Sequence, residues 1–170
     1  MELLPRRTSG EIEEVIDRYR STVFGLALAK TGSRSDAEDV FQEVLLAYYQ
    51  SGKSFSDEEH RKAWLLRTTL NHCKRLTGSA WRRRTVPLEE GEESREGDFT
   101  FRSVEENEVW QAVRSLDESL RLPIYLFYFQ DLTTRQIAQV LGVGEGAVRM
   151  RLSRGRTRLR ACLKGDYFDE

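Results

Sequence analysis

Proline is scarce in this 170-residue chain, with only three, and alternating apolar runs of the kind strands need are missing. Together these exclude an all-β fold. Cysteine is scarcer still. Cys73 and Cys162 are too few for a disulfide framework, and they fit a reducing cytoplasm. With His60 and His72 they are the only soft metal ligands. His72 and Cys73 are adjacent, and neighbouring helical positions diverge by about 100°, so a shared tetrahedral site is awkward. A phosphate-cradling glycine loop and a nucleophile motif are both lacking. The expectation is no catalytic residue, no metal, no cofactor and no enzyme. Long hydrophobic runs are also lacking. The longest, residues 122–129, is interrupted by Pro123 and falls short of the roughly 18–20 residues that span a bilayer. Residues 1–10 carry no apolar signal-peptide core. A cytoplasmic protein without direct membrane insertion is expected.

What is present is helical. A capping box sets Ser or Thr three residues before Glu or Gln, so that each side chain satisfies an orphan N–H of the first turn. The pattern recurs at Thr8/Glu11, Ser35/Glu38, Ser56/Glu59, Ser103/Glu106 and Thr133/Gln136. Each is followed by apolar residues at helical spacing. The first helix should bury Ile12, Val15, Ile16, Tyr19, Val23 and Leu26, and stop near Gly32. The second should bury Ala37, Val40, Phe41, Val44, Leu45 and Tyr48, and stop near Gly52. The third runs from about residue 57 toward 84, with Ala63, Leu66, Leu70 and Cys73 on one face and Gly78 bending or ending it. Residues 8–84 thus form a three-helix unit. Residues 85–103 follow as a linker. Pro87, Gly91, Gly97 and six carboxylates (Glu89, Glu90, Glu92, Glu93, Glu96, Asp98) make it too polar for a core. Four shorter helices, at 104–116, 118–130, 134–141 and 145–163, build a second unit over 104–165. The fold class is all-α, in two small domains joined by a flexible acidic linker.

Net charge is nearly absent, with 27 basic and 28 acidic residues, but its distribution is uneven. Residues 61–88 hold eight basic side chains and no acid. Residues 146–165 hold seven and again no acid. Surface helices usually intersperse both signs. Two helices that do not are built for a polyanion.

Residues 133–163 have the plan of a helix-turn-helix. Gly142 stands where a left-handed C-cap is needed, and Val143 plugs the turn. On a wheel of about 100° per residue, Val148, Leu152, Gly155, Leu159 and Leu163 share one face of the last helix. Met150, Ser153, Thr157 and Ala161 lie opposite. Arg149, Arg156 and Arg160 line one flank, and Arg151, Arg154 and Arg158 the other. A major groove has base edges on its floor and phosphates on both walls, and this helix matches each. Gly155 permits close helix approach. Gly144 and Gly146 make a weak helix start, whose first turn is expected to order on DNA.

In the first unit, Asp36, Asp39 and Glu43 form one exposed stripe of the second helix, with Gln42 beside it. Alone, such a stripe is usually a solvated face. The basic third helix adds Trp64, Trp81, Asn71 and His72, and aromatics among arginines suit melted nucleic acid. For the Trp64 ring, a core role is favoured by the adjoining Leu65 and Leu66.

The segments SRSDAEDVFQEVLLAYYQ and HRKAWLLRTTLNHCKR resemble region 2 of bacterial sigma factors. SLDESLRLPIYLFYFQDLTTRQIAQVLGVGEGAVRMRLSRGRTRLRACL resembles region 4. The short chain, with only a linker between them, is similar to the extracytoplasmic-function (ECF) group. The blocks D-A-E-D-x-x-Q-E, W-L-x-R-x-x-x-N and I-A-x-x-L-G-V, in that order and spacing, carry the likeness over nearly the whole chain. The resemblance implies that Asp39, Gln42 and Glu43 bind the β′ clamp helices of core RNA polymerase. It implies capture of the melted −10 element by the loop of residues 52–57, Phe55 included, and by Arg61, Lys62, Arg67, Asn71, Lys74 and Arg75. It implies that Arg149, Met150, Ser153, Arg154 and Arg156 contact the −35 element with phosphate support from Arg158, and that region 4 touches the β flap. Partners would be core polymerase, promoter DNA and an anti-sigma factor. The acidic linker either mimics single-stranded nucleic acid or is simply solvated, and the second reading is favoured. The rival function is a helix-turn-helix regulator acting without core polymerase.

Overall fold

The protein is described here by a computed structural model over residues 7–77 and 104–163. Gly78, Trp81, the arginines at 82–84, the acidic linker, the Ser103/Glu106 box and Lys164 lie outside the described residues. The chain divides into two units, one on each side of residues 99 and 100.

The first unit is built from α1 (Ser9–Thr31), α2 (Arg34–Ser51) and α3 (Glu58–Thr77), each packed against the other two. The Thr8/Glu11 capping box closes as the sequence predicts: the Glu11 N–H donates to Thr8 Oγ1 and the Thr8 N–H to Glu11 Oε2. Gly32 and Gly52 end α1 and α2 in the left-handed conformation, at φ 68° and 59°, which costs glycine little. Two expected boxes are corrected. Ser33, not Ser35, caps α2, accepting from the Asp36 N–H at 3.2 Å. At α3 the Asp57 carboxylate accepts from the His60 N–H at 2.8 Å, while Ser56 turns to the His60 ring. In the second case a charged acceptor displaces a hydroxyl.

The core gathers Val15, Tyr19, Val23, Ala27, Ala37, Val40, Val44, Tyr48 and Leu65. Ile12, Ile16, Phe41 and Leu45 are only half-buried at its edge. Along α3, Leu65, Leu66, Leu70 and Cys73 are buried and Ala63 half-buried, a broader face than one stripe. The reason is that α3 meets two helices rather than one. Trp64 is half-buried and meets Tyr48 and Phe55 edge-on at 6.1 and 5.8 Å, so its ring does pack on the core.

The second unit holds α4 (Val104–Arg114), α5 (Glu118–Tyr128), α6 (Thr134–Leu141) and α7 (Glu145–Cys162). Each of the three helices α4, α5 and α7 ends one or two residues before its expected stop. After α4 the Ser115 hydroxyl bonds the Ala112 carbonyl, competing with the helix. After α5 the chain turns through Asp131 at φ 55°, and Gln130 donates to the Tyr125 hydroxyl at 2.9 Å. Leu163 leaves α7 in an extended conformation. The Thr133/Gln136 box closes, and Gly142 caps α6 at φ 69°. The Val143 N–H returns to the Ala138 carbonyl, fixing the turn between α6 and α7. The α7 residues Val148, Leu152, Gly155 and Leu159 are buried among α4, α5 and α6.

Candidate functional site

On α2, Asp39, Gln42 and Glu43 are exposed, while Val40 and Val44 face the core. One turn further the same stripe reaches Leu46, a large apolar side chain that is 49% exposed. Sequence reasoning passed over Leu46, because an apolar residue inside a helical pattern reads as core. Asp36, expected on this stripe, is instead buried at the start of α2.

On α3, Arg67, Asn71, Lys74 and Arg75 are all exposed. At about 100° per residue they fall within an arc of about 100° on one side of the helix. This is a continuous stripe of three cations and one amide. Arg61 and Lys62 are half-buried on other faces. Arg61 is held inside the protein: it pairs with Glu58 at 3.1 Å and approaches Glu14 at 3.9 Å. Glu58 also pairs with Arg18 at 3.1 Å and accepts from the Tyr19 hydroxyl. These bonds, from Tyr19 above all, hold the Glu58 carboxyl below its ordinary range. Burial and the same contact push the Tyr19 phenol up to about 12. Phe55, at the middle of the loop between α2 and α3, stacks on Tyr48 at 6.2 Å. His72 is half-buried, and burial first and Arg75 second lower its pKa.

In the second unit, Arg149, Met150, Ser153, Arg154, Thr157, Arg158 and Arg160 of α7 are exposed. Both arginine flanks are braced by neighbouring groups. Arg156 Nε donates to the Tyr128 hydroxyl at 2.6 Å, its guanidinium 5.3 Å from the Phe127 ring. Arg158 pairs with Asp117 at 3.2 Å. Tyr128 ends α5 and Asp117 immediately precedes its start, so the two ends of α5 support opposite shoulders of α7. The weak glycine start is compensated. Gly144 offers no side-chain cap, yet Glu145 accepts from Thr134 Oγ1 at 2.9 Å and pairs with Arg149 at 3.2 Å. A carboxylate in the first turn also complements the helix dipole. The first turn, expected to order on DNA, is therefore already helical.

His60 and Cys162 are exposed and Cys73 is buried. Among the described residues no three His, Cys, Asp or Glu side chains converge on a possible metal position, and no helix is long and apolar enough to cross a membrane.

Comparison with known proteins agrees with this geometry. Residues 15–85 match the family described as Sigma-70 region 2, and residues 106–159 match Sigma-70, region 4. Neither family is a catalytic one. The ECF RNA polymerase sigma-E factor of Haemophilus influenzae is 31% identical over 155 residues, covering 84% of this chain and 82% of that protein. RpoE of Bartonella quintana, solved in complex with the anti-sigma factor NepR, superposes with a TM-score of 0.68 at 20% identity, over 92% of this chain and 98% of that one. CnrH, solved in complex with the cytosolic domain of CnrY, gives 0.63 at 22% identity, over 94% and 91%. Both structures share the fold. With a helical region 2 bearing an acidic and a basic stripe, and a region 4 ending in an arginine-flanked helix-turn-helix, the chain belongs to the ECF group of RNA polymerase sigma factors.

Proposed function

We propose that this chain binds core RNA polymerase, directs it to promoters through −10 and −35 elements, and helps melt the DNA at the start site. Residues 8–84 act as region 2, residues 85–103 as a linker and residues 104–165 as region 4. Asp39, Gln42 and Glu43 dock on the β′ clamp helices. Opposite charge there sets register and steers encounter. The α3 stripe of Arg67, Asn71, Lys74 and Arg75 lies along melted −10 DNA, with the loop around Phe55 beside it. Arg61 supports that surface from within, through Glu58. Arg149, Met150, Ser153, Arg154 and Arg156 enter the −35 major groove, Arg158 steadies a phosphate, and region 4 also touches the β flap. The chain works in the cytoplasm without catalysing a reaction of its own. An anti-sigma factor that covers its polymerase-binding faces is the expected regulator.

The observation that carries this reading is the coexistence of two unlike stripes in the first unit. A regulator using only its helix-turn-helix needs neither the acidic stripe on α2 nor the basic one on α3. The test is binding of a labelled promoter fragment by the protein alone and with core polymerase. Tight, element-dependent binding is expected only with core. Equal duplex affinity without core would favour the helix-turn-helix regulator.

A further inference from the structure

Arg7 lies just ahead of α1, more than forty positions from the residues it holds. Its Nε donates to the Tyr48 carbonyl at 2.9 Å. Its Nη2 donates to the Lys53 carbonyl and, at 3.4 Å, reaches Ser51 Oγ. The guanidinium lies 3.8 Å from the centre of the Tyr48 ring and 5.6 Å from that of Phe55. One side chain thus ties together the end of α2 and the first residues of the loop that follows. A cation here also complements the C-terminal end of the α2 dipole. The Thr8/Glu11 capping box fixes the backbone on which Arg7 stands.

The far end of the same loop is held independently. Glu58, the first residue of α3, accepts from Tyr19 and pairs with Arg18 and Arg61. Between the two clamps, the Phe55 ring is set between Tyr48 and Trp64. Residues 53–56 lie outside both helices, yet the start, middle and end of the loop are each held by side chains from beyond it.

We infer that Arg7 is a positioning residue for the −10 surface: it sets the α2–α3 loop in its DNA-binding conformation before DNA arrives. This rests on the reading that the loop and the α3 stripe take melted −10 DNA. The physical case is one of preorganisation. The bonds lie at a partly exposed surface, where water could replace them at little cost to folding. A loop already ordered, however, loses less conformational freedom on binding. The guanidinium is turned onto backbone carbonyls and a ring, so its fork geometry is used inside the protein.

The experiment uses the full chain assembled with core polymerase. The probe is a fluorescent single-stranded DNA carrying the −10 region of a promoter at which this chain starts transcription, together with its single-base variants. Arg7→Ala, Arg7→Lys and Asn71→Ala are compared with wild type, and affinity for core is measured separately. Arg7→Ala should weaken capture of the probe about tenfold and flatten base preference while leaving core affinity unchanged. Arg7→Lys should recover only part of the loss, since an ammonium lacks the fork and the flat stacking face. Full recovery by lysine would mean a simple charge on a phosphate and would overturn positioning. Equal loss of core affinity and probe capture would mean general destabilisation and would overturn it too. If Arg7→Ala matches wild type while Asn71→Ala loses preference, the positioning role fails and the −10 reading stands. If neither changes capture, both fail.

Discussion

Gly155 of α7 lies directly against Ile124 of α5: a methyl group on Gly155 would sit 2.6 Å from Cγ1 and 2.9 Å from Cδ1 of Ile124. Ile124 is fully buried. Helix propensity alone favours alanine over glycine by about 1 kcal/mol. Overpacking a close-packed site costs about 1–3 kcal/mol and works against it. The clash should win. Gly155→Ala should lower the denaturant midpoint of the second unit, and adding Ile124→Ala should give less than the summed loss. A more stable Gly155→Ala protein would show that the two helices can part freely.

The acidic stripe on α2 is exposed, so its residues can be reversed in charge without touching the core. Asp39→Lys with Glu43→Lys should abolish pull-down of core polymerase while circular dichroism stays unchanged. Loss of a charge-complementary contact typically acts on association and on its salt dependence. Equal pull-down by mutant and wild type would remove α2 from the polymerase interface.

Within α7, base readout and phosphate contact should separate. Arg154 stands beside the short side chains Ser153 and Thr157 and can reach the groove floor. Arg158 lies one turn on and is already drawn toward Asp117. A bidentate arginine–guanine pair discriminates by about 1–3 kcal/mol, while a phosphate contact weakens all sequences alike. Arg154→Ala should relax preference at one −35 base pair in binding across single substitutions. Arg158→Ala should lower binding to every variant by a similar factor. The reverse pattern would place the helix differently in the groove.

His72 gives the first unit a pH dependence. Burial and Arg75 hold its pKa below the ordinary value of 6.5, with Glu43 on α2 pulling the other way. The unfolded chain therefore binds the proton more readily. Stability from the neutral ring is complete above the unfolded value and declines as pH falls toward the folded one. Melting temperature should drop more steeply for wild type than for His72→Gln between about pH 7 and 5. A wild-type protein that gains on His72→Gln with acidification would instead tie the imidazolium to Glu43.

Much of the fold was legible because its signals are local. Thr8 with Glu11, Thr133 with Gln136, and Gly32, Gly52 and Gly142 act within one turn of themselves, and each does what its spacing predicts. The arginine rows of α7 were legible for the same reason, since helical period sets flank and face. Ser33 and Asp57 were missed because two candidate caps stand within two positions of each other at each start, and only the real backbone decides between them. The long-range contacts left no periodic trace. Arg7 meets Tyr48 and Lys53 across separations of 41 and 46 residues, and Arg156 meets Tyr128 across 28. Arg61 looked like one more cation of a basic helix. Its pairing with Glu58 is a local i,i+3 contact within α3; what left no trace is that Tyr19 and Arg18 of α1 hold the same carboxylate.

The central claim is that this chain gives core polymerase its promoter specificity, and run-off transcription on a promoter carrying both elements tests it most directly. Core polymerase alone should yield no transcript of defined length. Adding the chain should produce one, and substitutions in either the −10 or the −35 element should each remove it. A protein that binds the duplex tightly on its own, yet leaves core polymerase without a defined start, would contradict the account.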